Sequence, residues 1–472
     1  MISFILSVIA LILGYVFYGK LVEKIFGMDE KRPTPAVSMA DGVDFVTIET
    51  KKAFLIQFLN IAGLGPIFGA VAGAYWGPSA FLWIVLGSIF AGATHDYFAG
   101  MLSTRHNGET MAEIVGHYLG TSAKNAMRIF SVILLILVGV VFVNGPAGLL
   151  HTMTGIPRLA WVAVIIVYYL LATVLPIDKV IGKIYPVFGA TLLIMAVGII
   201  GGIFLKGYTI PEVQFNNLHP TGKAIFPYLF ITIACGAISG FHATQSPLMA
   251  RCMSNENQGR KIFYGAMITE GIIALIWAAA AMAFFGGTKA LSEAGEAAVV
   301  VNTISVSLLG GVGGILALLG VVACPITSGD TAFRSARLAI ADALKFNQAK
   351  FRNRFIIAIP LFAIGVALCF IDFAIIWRYF AWANQTLAMV MLWAAASYLM
   401  RNKSFHYICS IPAAFMTAVT VTYIIIAPEG LKLSDSIGYP VGIITAIAAF
   451  VFFLYKDIQN KKKVSGKKVT AA

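Results

Sequence analysis

The chain has 472 residues, of which 59% are apolar and only 12% charged, and its mean hydropathy is +0.86. A soluble domain carries about 25% charged residues, so a water-exposed surface cannot be built here. Disorder, collagen and coiled coil are excluded as well, because hydrophobicity is high and no triplet or heptad repeat runs through the chain. The formal net charge of +13 does not point to nucleic acid. Basic residues sit in the gaps between apolar runs and form no interleaved basic–aromatic patch. The composition describes an all-α polytopic membrane protein.

A helix needs about 20 apolar residues to cross the hydrocarbon core. Such runs occur at 2–19, 53–75, 79–101, 128–150, 159–176, 187–205, 223–250, 261–286, 305–326, 354–371, 373–399, 405–427 and 438–455, which predicts about 13 transmembrane helices. The first run has no basic segment before it and no small-residue cleavage site, so it is expected to be a retained helix. If the N-terminus lies outside, the Lys and Arg residues concentrate in alternate loops. The opposite loops hold only Arg158, Lys206, Lys223, Lys289 and Lys432. This asymmetry predicts a plasma (inner) membrane protein with a cytoplasmic C-terminal tail carrying Lys461, Lys462 and Lys463. Of the polar stretches, 102–127 contains Glu113, Ile114, His117, Tyr118 and Leu119, a pattern suited to a helix lying along the membrane. Cys235, Cys252, Cys324, Cys369 and Cys409 show no CxxC spacing and read as packed thiols rather than disulfides or a metal site.

Two runs carry breakers in mid-span. The first reads Gln57-Phe58-Leu59-Asn60-Ile61-Ala62-Gly63-Leu64-Gly65-Pro66. The second reads Thr232-Ile233-Ala234-Cys235-Gly236-Ala237-Ile238-Ser239-Gly240-Phe241-His242, followed by Gln245-Ser246-Pro247. Proline removes a helical hydrogen bond and glycine leaves helical dihedrals cheaply. In lipid such a break persists only where it lines a protein-enclosed cavity. Five runs begin with each broken one, and an odd number gives the two sets opposite orientations. Paired interrupted helices in inverted halves point to a secondary-transporter binding site near the midplane. The other reading is a glycine-rich packing face, which is expected at Gly87/Gly92 and at Gly310, Gly311, Gly313 and Gly314. The implied division is 1–52 (first helix and loop), 53–206 and 207–400 (two five-helix repeats), and 401–472 (two further helices and the tail).

Several stretches resemble the carbon starvation A (CstA) family of bacterial inner-membrane transporters. They are Ala40-Asp41-Gly42-Val43-Asp44-Phe45, Ala62-Gly63-Leu64-Gly65-Pro66-Ile67-Phe68-Gly69, Ala91-Gly92-Ala93-Thr94-His95-Asp96-Tyr97, Ser239-Gly240-Phe241-His242-Ala243, Tyr264-Gly265-Ala266-Met267-Ile268-Thr269-Glu270, Ile326-Thr327-Ser328-Gly329-Asp330-Thr331-Ala332, Arg334-Ser335-Ala336-Arg337 and Ala383-Asn384-Gln385-Thr386-Leu387-Ala388. The resemblance covers roughly residues 35–400. It implies a LeuT-like fold of the amino-acid/polyamine/organocation superfamily and uptake of carbon nutrients in starvation, with peptides and pyruvate both attributed to members and proton coupling proposed. The chain is shorter than the long enterobacterial forms, and Gln57 stands where those forms are expected to carry a histidine pair.

Ionisable residues inside a bilayer are functional candidates by default. His95 and Asp96 read as a proton relay or an interfacial pair. His242 reads as a substrate contact, a proton carrier or a packing histidine. Glu270 reads as a coupling or gating residue, the other reading being a structural salt bridge. Thr327, Ser328 and Asp330 offer hard oxygen ligands for Na⁺, and Asp330 is, with His95, Asp96 and Glu270, a candidate proton carrier; helix capping and an Asp330–Arg334 or Asp330–Arg337 pair are the alternative. Substrate is expected at the helix ends freed by the two breaks, at Asn60, Ala62, Gly63, Gly65, Gly236, Ser239, Gly240, His242 and Gln245. There a positive N-terminal end attracts carboxylate and freed carbonyls hold a cation. No GxSxG, HExxH or Walker A motif is present, so no catalytic site and no metal or cofactor is expected beyond a coupling H⁺ or Na⁺. The expectation is an importer of small molecules working by alternating access, with a channel or a membrane nutrient sensor as rivals of another class. The expected partners are the substrate and the lipid bilayer, with no nucleic acid.

Overall fold

The computed structural model describes residues 1–42, 44–174, 178–348 and 350–469. Val43 of the first family stretch and the end of the expected 159–176 run lie outside the described residues, as do the side chains of Lys461, Lys462 and Lys463. Among the described residues the protein is all-helical. It has no strand, only one isolated parallel bridge between Ile48 and Met253.

Nine helices among the described residues are long and apolar enough to cross a membrane: Ile2–Phe26, Ser79–Arg105, Thr121–Thr154, Val187–Leu205, Glu256–Phe285, Ala297–Ala341, Arg352–Cys369, Tyr407–Ile426 and Asp435–Lys456. A tenth is added if the bent pair Thr50–Ile61 and Gly65–Trp76 is one span. Burial ranks them. The most apolar stretches of Ser79–Arg105 and Glu256–Phe285 are 83% and 78% buried, whereas those of Ile2–Phe26 and Asp435–Lys456 are 28% and 22% buried. The two strongly buried helices form the centre and the two terminal ones the rim. Rim and outer faces present large apolar side chains such as Phe17, Val197 and Leu205, a surface that hydrocarbon accepts and water does not.

Helix Ala297–Ala341 runs 45 residues, about 68 Å if straight and more than twice the hydrocarbon thickness. It is interrupted at Gly310, whose backbone (φ 61°, ψ −145°) is open only to glycine. The expected packing stripe of glycines is therefore also a kink. The helix expected along the membrane forms at Met111–Leu119. Its apolar face, with Met111, Ile114 and Val115, is buried, and Arg401 donates to the His117 and Tyr118 carbonyls at its end. At one end of the central helices Arg105 pairs with buried Glu256 at 3.0 Å, donates to the Gly27 carbonyl at 2.6 Å and bonds the Tyr398 hydroxyl. This ties together four otherwise separate segments.

Both crossings with internal breakers leave the helix in mid-span. In the first, Thr50–Ile61 and Gly65–Trp76 meet at 56°, the backbone turning out of the helix at Ala62 (φ −80°, ψ 57°). In the second, Tyr228–Thr232 ends and Gly240–Ala250 begins after a non-helical stretch that closes on extended Ser239 (φ −147°, ψ 122°). Carbonyls near this second break are taken by side chains. Trp83 Nε1 and Gln385 Nε2 donate to Ile233 O at 3.2 and 3.4 Å, Gln385 also donates to Phe230 O, and Ser88 Oγ donates to Gly236 O at 3.1 Å. A break inside a bilayer needs such partners.

Candidate functional site

The two breaks lie against each other. A methyl group on Gly65 would stand 2.2 Å from Cys235 Cβ, and one on Gly73 would stand 2.3 Å from Ile233 Cγ1, so the backbone of the first segment packs directly on the Cys235 and Ile233 side chains of the second. Gly63 packs on the Phe142 ring. Asn60, Ala62, Gly63, Gly65, Gly236, Ser239, Gly240, His242 and Gln245 are all buried here. In this conformation the freed helix ends face one another, and room between them requires the segments to separate.

Asn384, from helix Phe373–Arg401, fixes the second break. Its Oδ1 accepts from Phe241 N–H at 2.6 Å and Ser239 Oγ at 3.1 Å, and its Nδ2 donates to Cys235 Sγ at 3.3 Å. One neutral side chain thereby caps the N-terminus of Gly240–Ala250, where a substrate carboxylate was expected to bind.

Behind the break, ionisable side chains from three segments join into one chain. His95 Nδ1 and His242 Nδ1 each lie 2.8 Å from Asp96, one at each carboxylate oxygen. On the far edge of the His242 ring, Nε2 is 3.3 Å from Glu270 Oε2. All four residues have no exposed surface. Each is placed by its own segment. His95 and Asp96 are successive residues of Ser79–Arg105, His242 falls in the first turn after the second break, and Glu270 faces inward from Glu256–Phe285. Two charged carboxylates buried together are costly in a bilayer, and the His242 ring stands between Asp96 and Glu270. The arrangement is one buried run of ionisable side chains from His95 to Glu270.

Thr327, Ser328 and Asp330 are placed otherwise. The Thr327 and Ser328 hydroxyls donate to the Cys324 carbonyl at 2.7 and 3.2 Å, bonds within their own helix. Asp330 pairs with Arg334 at 3.2 Å. The ion pair matches the alternative reading, whereas the two hydroxyls cap no helix end and bond back within the helix Cys324–Ala343.

Three contributors were not expected from the sequence. Cys235 looked like a packed thiol, yet its Sγ, a His242 ring nitrogen and a Glu270 oxygen lie within 4.8 Å of one another, a set able to hold a metal ion. Ser88 and Asn144 carried weak signals as lone polar residues in apolar runs. Asn144 precedes Gly145-Pro146, and its buried amide has no hydrogen-bond partner. A second possible metal-binding set, His106, Glu109 and His117, lies nearer the surface, with His106 and His117 stacked at 4.7 Å.

The model of the family described as carbon starvation protein CstA matches residues 1–154 and 147–306. The chain belongs to the CstA family. An uncharacterized membrane protein of Haemophilus influenzae is 46% identical over 62% of this chain and 94% of its own length. The peptide transporter CstA of Campylobacter jejuni is 31% identical over 56% of this chain and 47% of its own. The pyruvate/proton symporter BtsT of Escherichia coli is 29% identical over 57% and 47%. The chain thus spans about half the length of these two named transporters. Among solved structures, MhsT in complex with L-phenylalanine aligns with a TM-score of 0.54 at 16% identity, covering 86% of this chain and 98% of that one. That likeness shows a shared LeuT-like transporter fold.

Proposed function

We propose that the protein is a secondary active transporter that imports small carboxylate-bearing nutrients, peptides or pyruvate, by proton symport and alternating access. The observation that carries this reading is the juxtaposition of two interrupted crossings with the buried chain His95–Asp96–His242–Glu270. Substrate enters when the two breaks part. Its carboxylate takes the N–H groups around Gly240 and Gly65, while Glu270 and His242 load and release the coupling proton. The names of the Campylobacter and Escherichia relatives support both substrate classes and, for pyruvate, the proton.

Thirteen crossings are part of this proposal. The nine apolar helices and the bent pair are joined by Arg158–Val174, the second broken segment and Phe373–Arg401, which gives one helix, two inverted sets of five and two more. The N-terminus then lies outside and the C-terminus in the cytoplasm. A Na⁺-coupled reading is less favoured, because the Thr327 and Ser328 hydroxyls and the Asp330 carboxylate make bonds within their own helix.

The test is uptake of labelled pyruvate and of a labelled dipeptide into proteoliposomes, with an inward proton or sodium gradient imposed. One substrate accumulating with the proton gradient is expected. Accumulation driven by sodium alone, or no accumulation under either gradient, would overturn the reading.

A further inference from the structure

Cys235, His242 and Glu270 bring three buried metal-binding side chains to one point from two segments of the fold, their donor atoms all within 4.8 Å of each other. Proximity alone is weak, but two independent features turn it into a ligand site. Asp96 Oδ2 holds His242 Nδ1 at 2.8 Å, which fixes the ring and leaves Nε2 as the coordinating nitrogen. Carboxylates orient metal-bound imidazoles in this way. In addition, His242 Nε2 and both Glu270 oxygens are buried without a hydrogen-bond partner. Nε2 and Oε2 are 3.3 Å apart, close enough for charge attraction yet not aligned as donor and acceptor. Buried polar atoms left in this way mark a place where a further group is accommodated.

We propose that Cys235, His242 and Glu270 form a binding site for one borderline divalent cation of the Zn²⁺ class. On binding, the Sγ–H bond of Cys235 breaks and any proton held on His242 Nε2 or Glu270 is displaced; these protons leave to solvent, and bonds from the metal to Sγ, Nε2 and a Glu270 oxygen take their place, with no electron transfer. Thiolate and carboxylate together offset the ion's charge, so the loaded site is neutral and tolerable in a bilayer. Tetrahedral zinc with bonds of about 2.0–2.3 Å separates its ligand atoms by about 3.3–3.7 Å; Nε2 and Oε2 at 3.3 Å already stand at that spacing, and donors as far apart as 4.8 Å would close in by about an ångström. A thiolate and an imidazole select against Mg²⁺ and Ca²⁺, which take oxygen ligands. One functional consequence rests on the proposed function: an ion here occupies His242 and Glu270 and blocks proton loading.

The site is tested on the purified full-length chain in detergent, stripped of metal with chelator, with binding read directly and no transport measured. Cd²⁺ titration is expected to develop thiolate-to-cadmium absorption saturating at one equivalent. The band persists in Cys409→Ser and is lost in Cys235→Ser. By calorimetry, Zn²⁺ affinity falls tenfold or more in Cys235→Ser and in Glu270→Gln. It is unchanged in His117→Ala, which removes the partly exposed His106, Glu109 and His117 set as the source of the signal. If Cys235→Ser does not yield folded protein, Glu270→Gln and the wild-type cadmium band decide. No thiolate absorption in the wild type, a band that survives Cys235→Ser, or zinc binding lost in His117→Ala and retained in Glu270→Gln would overturn the proposal. Because binding is read without uptake, failure here leaves the transport reading standing, and failure of proton-driven uptake leaves the site standing.

Discussion

At Gly65 the backbone of the first broken segment lies against the Cys235 side chain of the second, and a single methyl group tests that contact. Its carbon would meet Cys235 Cβ at 2.2 Å and Sγ at 2.4 Å, whereas carbon atoms rest at about 3.5–4.0 Å. Gly65→Ala therefore drives the segments apart by about 1 Å or more. Overpacking of this kind costs about 1–3 kcal/mol, seen for a chain of 472 residues as a melting temperature lower by about 1–3 °C in detergent-purified protein. Cys235→Gly removes both clashing atoms from the opposite side. Placed in the same chain it should restore most of the loss, after allowing about 0.5–1 kcal/mol for the added glycine. The double-mutant cycle then gives a coupling of about 1–3 kcal/mol, the size expected for residues in contact. Gly65→Ala melting with the wild type, or remaining destabilised beside Cys235→Gly, would refute direct packing of one break on the other.

Asn384→Ala strips the acceptor from the Phe241 N–H and Ser239 hydroxyl and leaves a buried donor unsatisfied, at a cost of about 1–3 kcal/mol. Thermal unfolding should register that loss, and an unchanged melting temperature would mean the break holds itself open without a cap. Near the Met111–Leu119 helix, burial holds His106 below the ordinary histidine range, the nearby His117 lowers it further, and Glu109 opposes both. The folded state thus binds this proton less readily than the unfolded chain. Its stabilising contribution is present above about pH 6.5 and is lost as pH falls from there toward the folded-state value. Hydrogen-exchange protection factors over residues 106–119, corrected for the intrinsic pH dependence of amide exchange, should fall on mild acidification in the wild type and lose that dependence in His106→Gln, whereas pH-independent protection in the wild type would contradict the assignment.

Much of the fold was legible in the sequence for simple reasons. Runs of about 20 apolar residues have few alternatives in structure, and glycine and proline together, as in Gly-x-Gly-Pro and Cys-Gly-Ala-Ile-Ser-Gly-(x)6-Pro, weaken regular helix. Both breaks stand where those residues are. The lengths of individual helices were less legible, because helical backbone continues past the apolar stretch. Thr121–Thr154 and Ala297–Ala341 outrun the expected 128–150 and 305–326, and the glycines near 310 encode a kink that composition alone does not separate from close packing. At the site, residue types in isolation named His95, Asp96, His242 and Glu270 as candidates. That His242 bridges Asp96 and Glu270 depends on three helices meeting, which no local pattern records. The same limit hid Cys235, whose surroundings in sequence are apolar and whose surroundings in space are a histidine, a carboxylate and Asn384.

The most direct test of proton coupling through this chain is Glu270→Gln in proteoliposomes, which keeps the side-chain volume and removes the proton-carrying group. An inward gradient of one pH unit can drive about tenfold accumulation per symported proton. The account predicts that the variant still exchanges labelled for unlabelled substrate in counterflow but no longer accumulates it under the gradient. Accumulation by Glu270→Gln equal to that of the wild type would contradict it.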